Sequence, residues 1–271
     1  LGANGLTDGA AAVAKRFNIS DLVIGLTIVA FGTSAPELVI STMSALGGSA
    51  EMAIGNVVGS NIFNVLAIIG VTALVMPIKV GEGTMSKEIP LMILCSFVLA
   101  FMANDVLLDG CSTNVISRID GWILLLAFAF YMWYSFYRDK QKNEEAEISN
   151  TSHSSKKTTN EALWKSILKV ALGLPILIVS CDFFVDNAIV IAKSWGVSDA
   201  IISLTLIACG TSLPELAASV AAACKKNTQL ALGNIVGSNI FNILLILGVS
   251  SQVMPLVSAD ITIVDYAVMI A

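Results

Sequence analysis

Histidine occurs once in the 271 residues, at His153 in a polar stretch, so chemistry that needs an imidazole base or several imidazole ligands has nothing to work with. The five cysteines, Cys95, Cys111, Cys181, Cys209 and Cys224, show no CxxC spacing, and four of them lie in apolar runs. A free thiol there behaves as a small hydrophobe, so neither a disulfide nor a zinc site is expected. Neither HExxH nor GxSxG occurs, which removes the signatures of a membrane hydrolase. Charged residues make up only 13% of the chain, against about 25% in an average soluble domain. Lys and Arg total 15 against 20 Asp and Glu, and nothing in that balance favours a nucleic acid. No initiator Met and no signal peptide precede Leu1, so the chain reads as a fragment.

What fills the space is apolar: 56% of residues are hydrophobic and the mean hydropathy is +0.82. At about 20 residues per crossing, this is an all-α polytopic membrane protein. Candidate spans run over 19–45, 52–78, 89–104, 119–137, 164–192, 197–224 and 229–257, with partial ones at 6–14 and from 261 onward. Between Arg138 and Lys165 lies one long polar segment rich in Ser, Thr, Asn and mixed charge, the composition of a flexible linker.

The two sides of that segment repeat each other. GTSAPEL contains Glu37 and GTSLPEL contains Glu215, 178 residues later, and GNVVGSNIFN from Gly55 returns as GNIVGSNIFN from Gly233 at the same offset. Met76-Pro77 matches Met254-Pro255, and Asp8 to Lys15 matches Asp186 to Lys193. One period holds five spans; an odd number inverts the second copy, which is the inverted-topology architecture of secondary transporters. The expected organisation is a first inverted repeat over 1–137 with its first helix truncated, a cytoplasmic loop over 138–163, and a second inverted repeat over 164–271. By the offset, the full protein has two sets of five helices, and the last two are largely missing here. Placing the loop inside puts 13 of the 15 basic residues on the cytoplasmic face, with Arg118 and Lys193 outside, a strong positive-inside bias.

Glu37 and Glu215 each fall near the middle of an apolar segment, where an acidic side chain costs about 2.5–3.5 kcal/mol to insert. Such groups mark ion or proton pathways. Pro36 and Pro214 precede them and force a kink or unwinding, because proline lacks an N–H and crowds the carbonyl four residues back. Freed carbonyls of Ala30 to Gly32 and Ala208 to Gly210 can then face a ligand, with hydroxyls from Thr33, Ser34, Thr211 and Ser212 nearby. The second motif adds Asn56, Ser60, Asn61 and Asn64, and Asn234, Ser238, Asn239 and Asn242. Its glycines also fit simple helix packing. Asp8 and Asp186 read as interfacial, and His153 as solvated. An all-oxygen donor set suits hard cations such as Ca²⁺, which takes 6–8 oxygens, and the same set can hold Na⁺.

GTSAPEL with GNVVGSNIFN, and GTSLPEL with GNIVGSNIFN, resemble the two alpha-repeats of the calcium/cation antiporter superfamily, closest to bacterial Na⁺/Ca²⁺ antiporters and K⁺-dependent Na⁺/Ca²⁺ exchangers. The resemblance implies an inverted-repeat antiporter fold with four cation sites near the bilayer midplane, and a first pair of helices that slides across the rest. It implies Glu37 and Glu215 as central Ca²⁺ ligands with the carbonyls of Thr33 and Thr211. Flanking Na⁺ sites would use Ala30, Ser34, Ser60, Ala208, Ser212 and Ser238, with Asn64 and Asn242 lining the middle. Many members carry Asp at the position of Asn242; here both copies have Asn, which leaves two negative charges and weakens the case for K⁺. The implied function is Na⁺/Ca²⁺ antiport for Ca²⁺ extrusion across a cell membrane, the bacterial inner membrane, with Ca²⁺ and Na⁺ as transported ions and no resident cofactor or enzymatic activity. The rivals are a Ca²⁺/H⁺ exchanger of the same superfamily and, from another class, a cation channel. The channel is disfavoured because its pore ring would come from subunit symmetry.

Overall fold

The structure is a computed structural model that describes residues 1–78, 80–81, 84–104, 114–149, 162–196, 208–258 and 261–270, with only the backbone described over 142–149 and at position 208. Cys111, His153, Lys79, Lys156, Lys157 and residues 197–207 of the stretch 197–224 lie outside the described residues. In chain order the elements are α1 (Gly2–Arg16), α2 (Asp21–Thr33), α3 (Ala35–Leu46), α4 (Ala50–Val75), α5 (Thr84–Met102), β1 (Val115–Ile116), α6 (Arg118–Ser149) and α7 (Leu163–Ser194). There follow α8 (Ala208–Gly210), α9 (Leu213–Cys224), α10 (Thr228–Val253), β2 (Leu256–Val257) and α11 (Ile263–Ile270).

Among the described residues five of these, α4, α5, α6, α7 and α10, are long and apolar enough to cross a membrane, and α2 with α3 is apolar enough as a pair but bent by 47° at the break between them. The protein is an all-α, polytopic, inverted-repeat membrane protein. Its one strand pairing among the described residues is a two-residue antiparallel ladder, Val115 opposite Val257 and Ile116 opposite Leu256. The polar segment after residue 137 differs from the linker reading: α6 continues as helix through Ser149. Gln141, Lys142, Glu144, Glu145, Ala146 and Glu147 are good helix formers, so the helix outlasts its apolar stretch.

The repeat is written into the turns. Left-handed backbone occurs at Asn18 (φ 51) and Gly196 (φ 77), and at Gly48 (φ 79) and Lys226 (φ 61). Each pair stands 178 residues apart, so the turns before and after the α2–α3 unit recur in the second copy with different residues in the same conformation.

Helix α10 is the hub, almost wholly buried where α7 is mostly exposed. A close backbone crossing buries it: a Cβ on Gly233 would lie 2.4 Å from the Leu22 carbonyl, and one on Gly25 would lie 2.5 Å from the Leu230 carbonyl. Small residues let helices approach like this in membranes, so this motif glycine does serve packing. The partners that the offset predicts for Gly55 and Gly59 fall at 200–208, at the edge of and beyond the described residues.

One end of the bundle is tied by charges. Arg138 pairs with Glu88 at 2.7 Å, the Ser20 amide donates to Asp139 at 2.9 Å, and Asn227 donates to Asp21 at 3.1 Å. Lys225 pairs with Asp8 at 2.8 Å, as an interfacial acid would. At the other end, beside the strand ladder, Gln252 donates to the Arg118 carbonyl at 2.9 Å.

Candidate functional site

The break between α2 and α3 falls at Ser34 (φ −82, ψ 7), two residues before Pro36, which then occupies the first turn of α3. There a missing N–H is harmless, because the first-turn amides have no intrahelical acceptor. Pro214 takes the same place in α9, after Ser212 (φ −89, ψ 5). The kink foreseen from the prolines is therefore present, but the Ala30 carbonyl is not freed by it. It accepts from the Ser34 amide at 2.9 Å and from the Thr33 hydroxyl at 3.4 Å. The break spans a single residue, so Ser34 N–H still reaches back one helical turn. In the second copy the Ser212 amide turns instead to the Cys209 carbonyl at 3.2 Å.

Each break sets its glutamate in the first turn of the following helix. The unsatisfied amides and dipole of that end favour an anion, which offsets part of the burial cost. Both side chains are fully enclosed, Glu37 at 0% and Glu215 at 1% exposure. Their partners come from the opposite repeat: Ser34 Oγ donates to Glu215 Oε1 at 2.9 Å and Ser212 Oγ donates to Glu37 Oε1 at 3.1 Å.

Behind each glutamate an asparagine braces the break. Asn56 Nδ2 donates to Ser41 Oγ at 3.0 Å and to the Glu37 carbonyl at 3.4 Å, while Asn234 Nδ2 donates to Ser219 Oγ at 2.9 Å and to the Glu215 carbonyl at 3.2 Å. Asn234 Oδ1 also accepts from Thr33 at 3.2 Å. Ser41 and Ser219 escaped the sequence reading, although each stands four residues after its glutamate in both copies.

The GNxVGSN helices close the site from the other side. In each, a π-helical turn begins at the last asparagine of the motif, Asn64–Ile68 and Asn242–Leu247; such turns are rare and frequent at functional sites. The Asn64 turn packs on α9, which holds Glu215, and the Asn242 turn packs on α3, which holds Glu37. Asn64 Nδ2 donates to Asn239 Oδ1, and Asn242 Nδ2 to Asn61 Oδ1, both at 3.0 Å.

Several buried oxygens have no hydrogen-bond partner among the described residues. They include three repeat-related pairs, Glu37 and Glu215 Oε2, Ser60 and Ser238 Oγ, and Asn64 and Asn242 Oδ1, together with Thr211 Oγ1. An unsatisfied buried polar atom costs about 1–3 kcal/mol, more when charged, and is rare without a reason. Thr72 and Ser250 form a fourth such pair, eight residues beyond Asn64 and Asn242 and hence on the same helix face; the sequence reading passed over them. No group of three His, Cys, Asp or Glu gathers among the described residues. The site's donor set is thus oxygen throughout, with two carboxylates, which fits hard cations as cargo.

Residues 1–137 and 165–271 match the family described as sodium/calcium exchanger protein. The putative antiporter CaxA of Alkalimonas amylolytica is 41% identical over 248 residues, covering 91% of this chain and 75% of that protein. Sodium/calcium exchanger MaX1 of Methanosarcina acetivorans is 32% identical over 286 residues, covering 96% of this chain and 81% of that protein. The solved structure of the sodium-calcium exchanger NCX_Mj, soaked with 2.5 mM Na⁺ and 0.1 mM Ca²⁺, matches with a TM-score of 0.78 at 32% identity, over 99% of this chain and 82% of that one.

Proposed function

Because this chain belongs to the sodium/calcium exchanger protein family, we propose that it is a secondary active antiporter that uses the Na⁺ gradient to move Ca²⁺ out of the cell. The observation that carries the reading is the crossed pair of buried carboxylates, Glu37 and Glu215, each held through one oxygen by the other repeat's serine and left with a second oxygen without a partner. Two carboxylates balance one Ca²⁺ or two Na⁺ ions, and that shared charge is what lets the ions compete. Glu37, Glu215 and the Thr33 and Thr211 carbonyls serve Ca²⁺ in this proposal. Ala30, Ser34, Ser60, Ala208, Ser212 and Ser238 serve the flanking Na⁺ ions, and Asn64 and Asn242 present neutral oxygens between them. Ala30 contributes through a carbonyl that accepts the Ser34 amide at 2.9 Å and the Thr33 hydroxyl at 3.4 Å; the ion takes the lone pair of the longer bond, because the Thr33 hydroxyl has a second acceptor in Asn234 Oδ1.

In this reading the protein resides in a cell membrane with the 138–163 segment facing the cytoplasm, which the excess of basic residues on one side of the spans supports, and K⁺ takes no obligatory part. The test is Ca²⁺ uptake into vesicles holding the full-length protein and loaded with Na⁺, K⁺ or choline, with and without a proton ionophore. Uptake only from Na⁺-loaded vesicles, unaffected by the ionophore in its Na⁺ requirement, is the expected result. Uptake driven by a proton gradient without Na⁺ would favour Ca²⁺/H⁺ exchange.

A further inference from the structure

Four asparagines meet where α4 and α10 cross, and their hydrogen bonds leave each amide one orientation. Asn64 and Asn242 spend their Nδ2 groups on Asn239 Oδ1 and Asn61 Oδ1 at 3.0 Å, and their own Oδ1 atoms are buried with no partner among the described residues. The accepting asparagines are engaged at both ends. Asn239 Nδ2 donates to Met92 Sδ at 3.2 Å, and Asn61 Nδ2 reaches the Asn239 carbonyl at 3.4 Å and Met269 Sδ at 3.9 Å. Asn61 and Asn239 are themselves almost fully buried.

We infer that Asn61 and Asn239 are positioning residues that fix the amides of Asn242 and Asn64 with their carbonyl oxygens available to the transported cation. The inference rests on the site proposed above. An asparagine amide has a donor face and an acceptor face, and a cation tolerates only the acceptor. Were Asn242 to turn over, its Oδ1 would oppose Asn61 Oδ1, and two N–H groups would replace the ligand oxygen. The acceptor on Asn61 forbids that, and the acceptor on Asn239 does the same for Asn64. Because the two bonds cross between repeats, each repeat sets the amide of the other, as Ser34 and Ser212 do for the two glutamates. Neutral oxygens aligned beforehand favour cation capture, since the cation meets a donor set that does not have to reorganise.

The test is a double-substitution cycle on full-length protein in Na⁺-loaded proteoliposomes, read as KM and maximal rate for Ca²⁺. Asn242→Leu and Asn61→Leu should each raise KM about tenfold with the maximal rate held within about twofold, and the double variant should be no worse than Asn242→Leu alone. Asn61→Asp keeps an acceptor for Asn242 Nδ2 and should not raise KM. A merely structural Asn61 would lower the amount of folded protein or the maximal rate without that pattern. Independent, multiplying effects of Asn61→Leu and Asn242→Leu, or an unchanged KM in Asn61→Leu, would overturn the inference. If Asn242→Leu alone leaves KM unchanged, the site assignment itself fails, and the two failures are thereby told apart. Should Asn61→Leu be recovered unfolded by size-exclusion chromatography, the Asn239→Leu and Asn64→Leu cycle reads the same coupling from the other half, with the same outcomes.

Discussion

Ser34 holds Glu215, a residue of the opposite repeat, through a 2.9 Å hydrogen bond to Oε1. Its counterpart Ser212 holds Glu37 in the same way at 3.1 Å. Neither glutamate is therefore positioned by its own repeat alone, and the site exists only where the two halves meet. The same rule governs Asn64 with Asn239 and Asn242 with Asn61. Crossed bonds of this kind give an inverted repeat one shared site at its centre instead of two separate ones.

Neutralising either glutamate should end transport. Glu37→Gln and Glu215→Gln each remove half the negative charge available to a divalent cation at a position with essentially no solvent. A loss of at least about 100-fold in Ca²⁺ uptake is expected for each, with inserted, monodisperse protein by size-exclusion chromatography. Ser34→Ala, which keeps the charge and removes one oriented donor, should cost less, about tenfold. Normal uptake in either glutamine variant would remove the basis of the site.

The crossing of α2 and α10 should resist a single methyl group. In Gly233→Ala the new Cβ would sit 2.4 Å from the Leu22 carbonyl and 2.9 Å from the Leu26 amide, backbone atoms that cannot turn aside. Separating the helices should destabilise the protein by about 1–3 kcal/mol, seen as a lower melting temperature in detergent. An unchanged melting temperature would mean that the helices do not approach this closely.

Lys226 offers the opposite case. It holds φ 61, the conformation that its repeat mate Gly48 adopts at φ 79. A non-glycine residue in the left-handed region is strained by roughly 1 kcal/mol, part of which is offset by the greater unfolded-state freedom of glycine. Lys226→Gly should raise the melting temperature by about 2 °C, and a fall would contradict the strain argument.

How much of this was legible beforehand depends on the kind of signal. The glutamates, the prolines and the 178-residue offset stand in the primary sequence, because an acidic residue in an apolar run and an ungapped repeat need no geometry to be seen. A kink before Pro36 is legible from the proline, but the freeing of the Ala30 carbonyl expected with it does not follow, since the break spans only Ser34 and Pro36 sits comfortably in the first turn after it. The π-helical turns at Asn64 and Asn242 have no composition of their own, so they escape any periodicity argument. The pairing of Val115 with Val257 joins residues far apart in the chain, in runs too short to alternate. Ser41 and Ser219 look like ordinary helix residues until Asn56 and Asn234 are seen to reach them.

The orientation can be read directly. A cysteine placed at Ser152, in a background where the native cysteines are replaced, should react with a membrane-impermeant thiol reagent only from the cytoplasmic side. The motive is the basic bias, with 13 of 15 Lys and Arg on the loop's side of the spans. Labelling of intact cells from outside would reverse the topology.

The last expectation concerns K⁺. An outward Na⁺ gradient should drive Ca²⁺ uptake without K⁺, because both copies of the second motif end in Asn, at Asn64 and Asn242, where an Asp in either would add a third carboxylate. With Glu37 and Glu215 alone the site has two formal negative charges, which Ca²⁺ balances completely. A further monovalent cation would then meet only neutral oxygens in a buried, low-dielectric place, where an uncompensated charge is strongly disfavoured. The amide nitrogen of Asn242 donates to Asn61, so its free oxygen offers a dipole and nothing more. Replacing Na⁺ by choline inside proteoliposomes should abolish uptake, while omitting K⁺ outside should change the rate by less than about twofold. A strict K⁺ requirement would sink the charge count. Asn242→Asp supplies the complementary arm: if missing charge is what keeps K⁺ out, that variant should gain a K⁺ stimulation that the parent protein lacks.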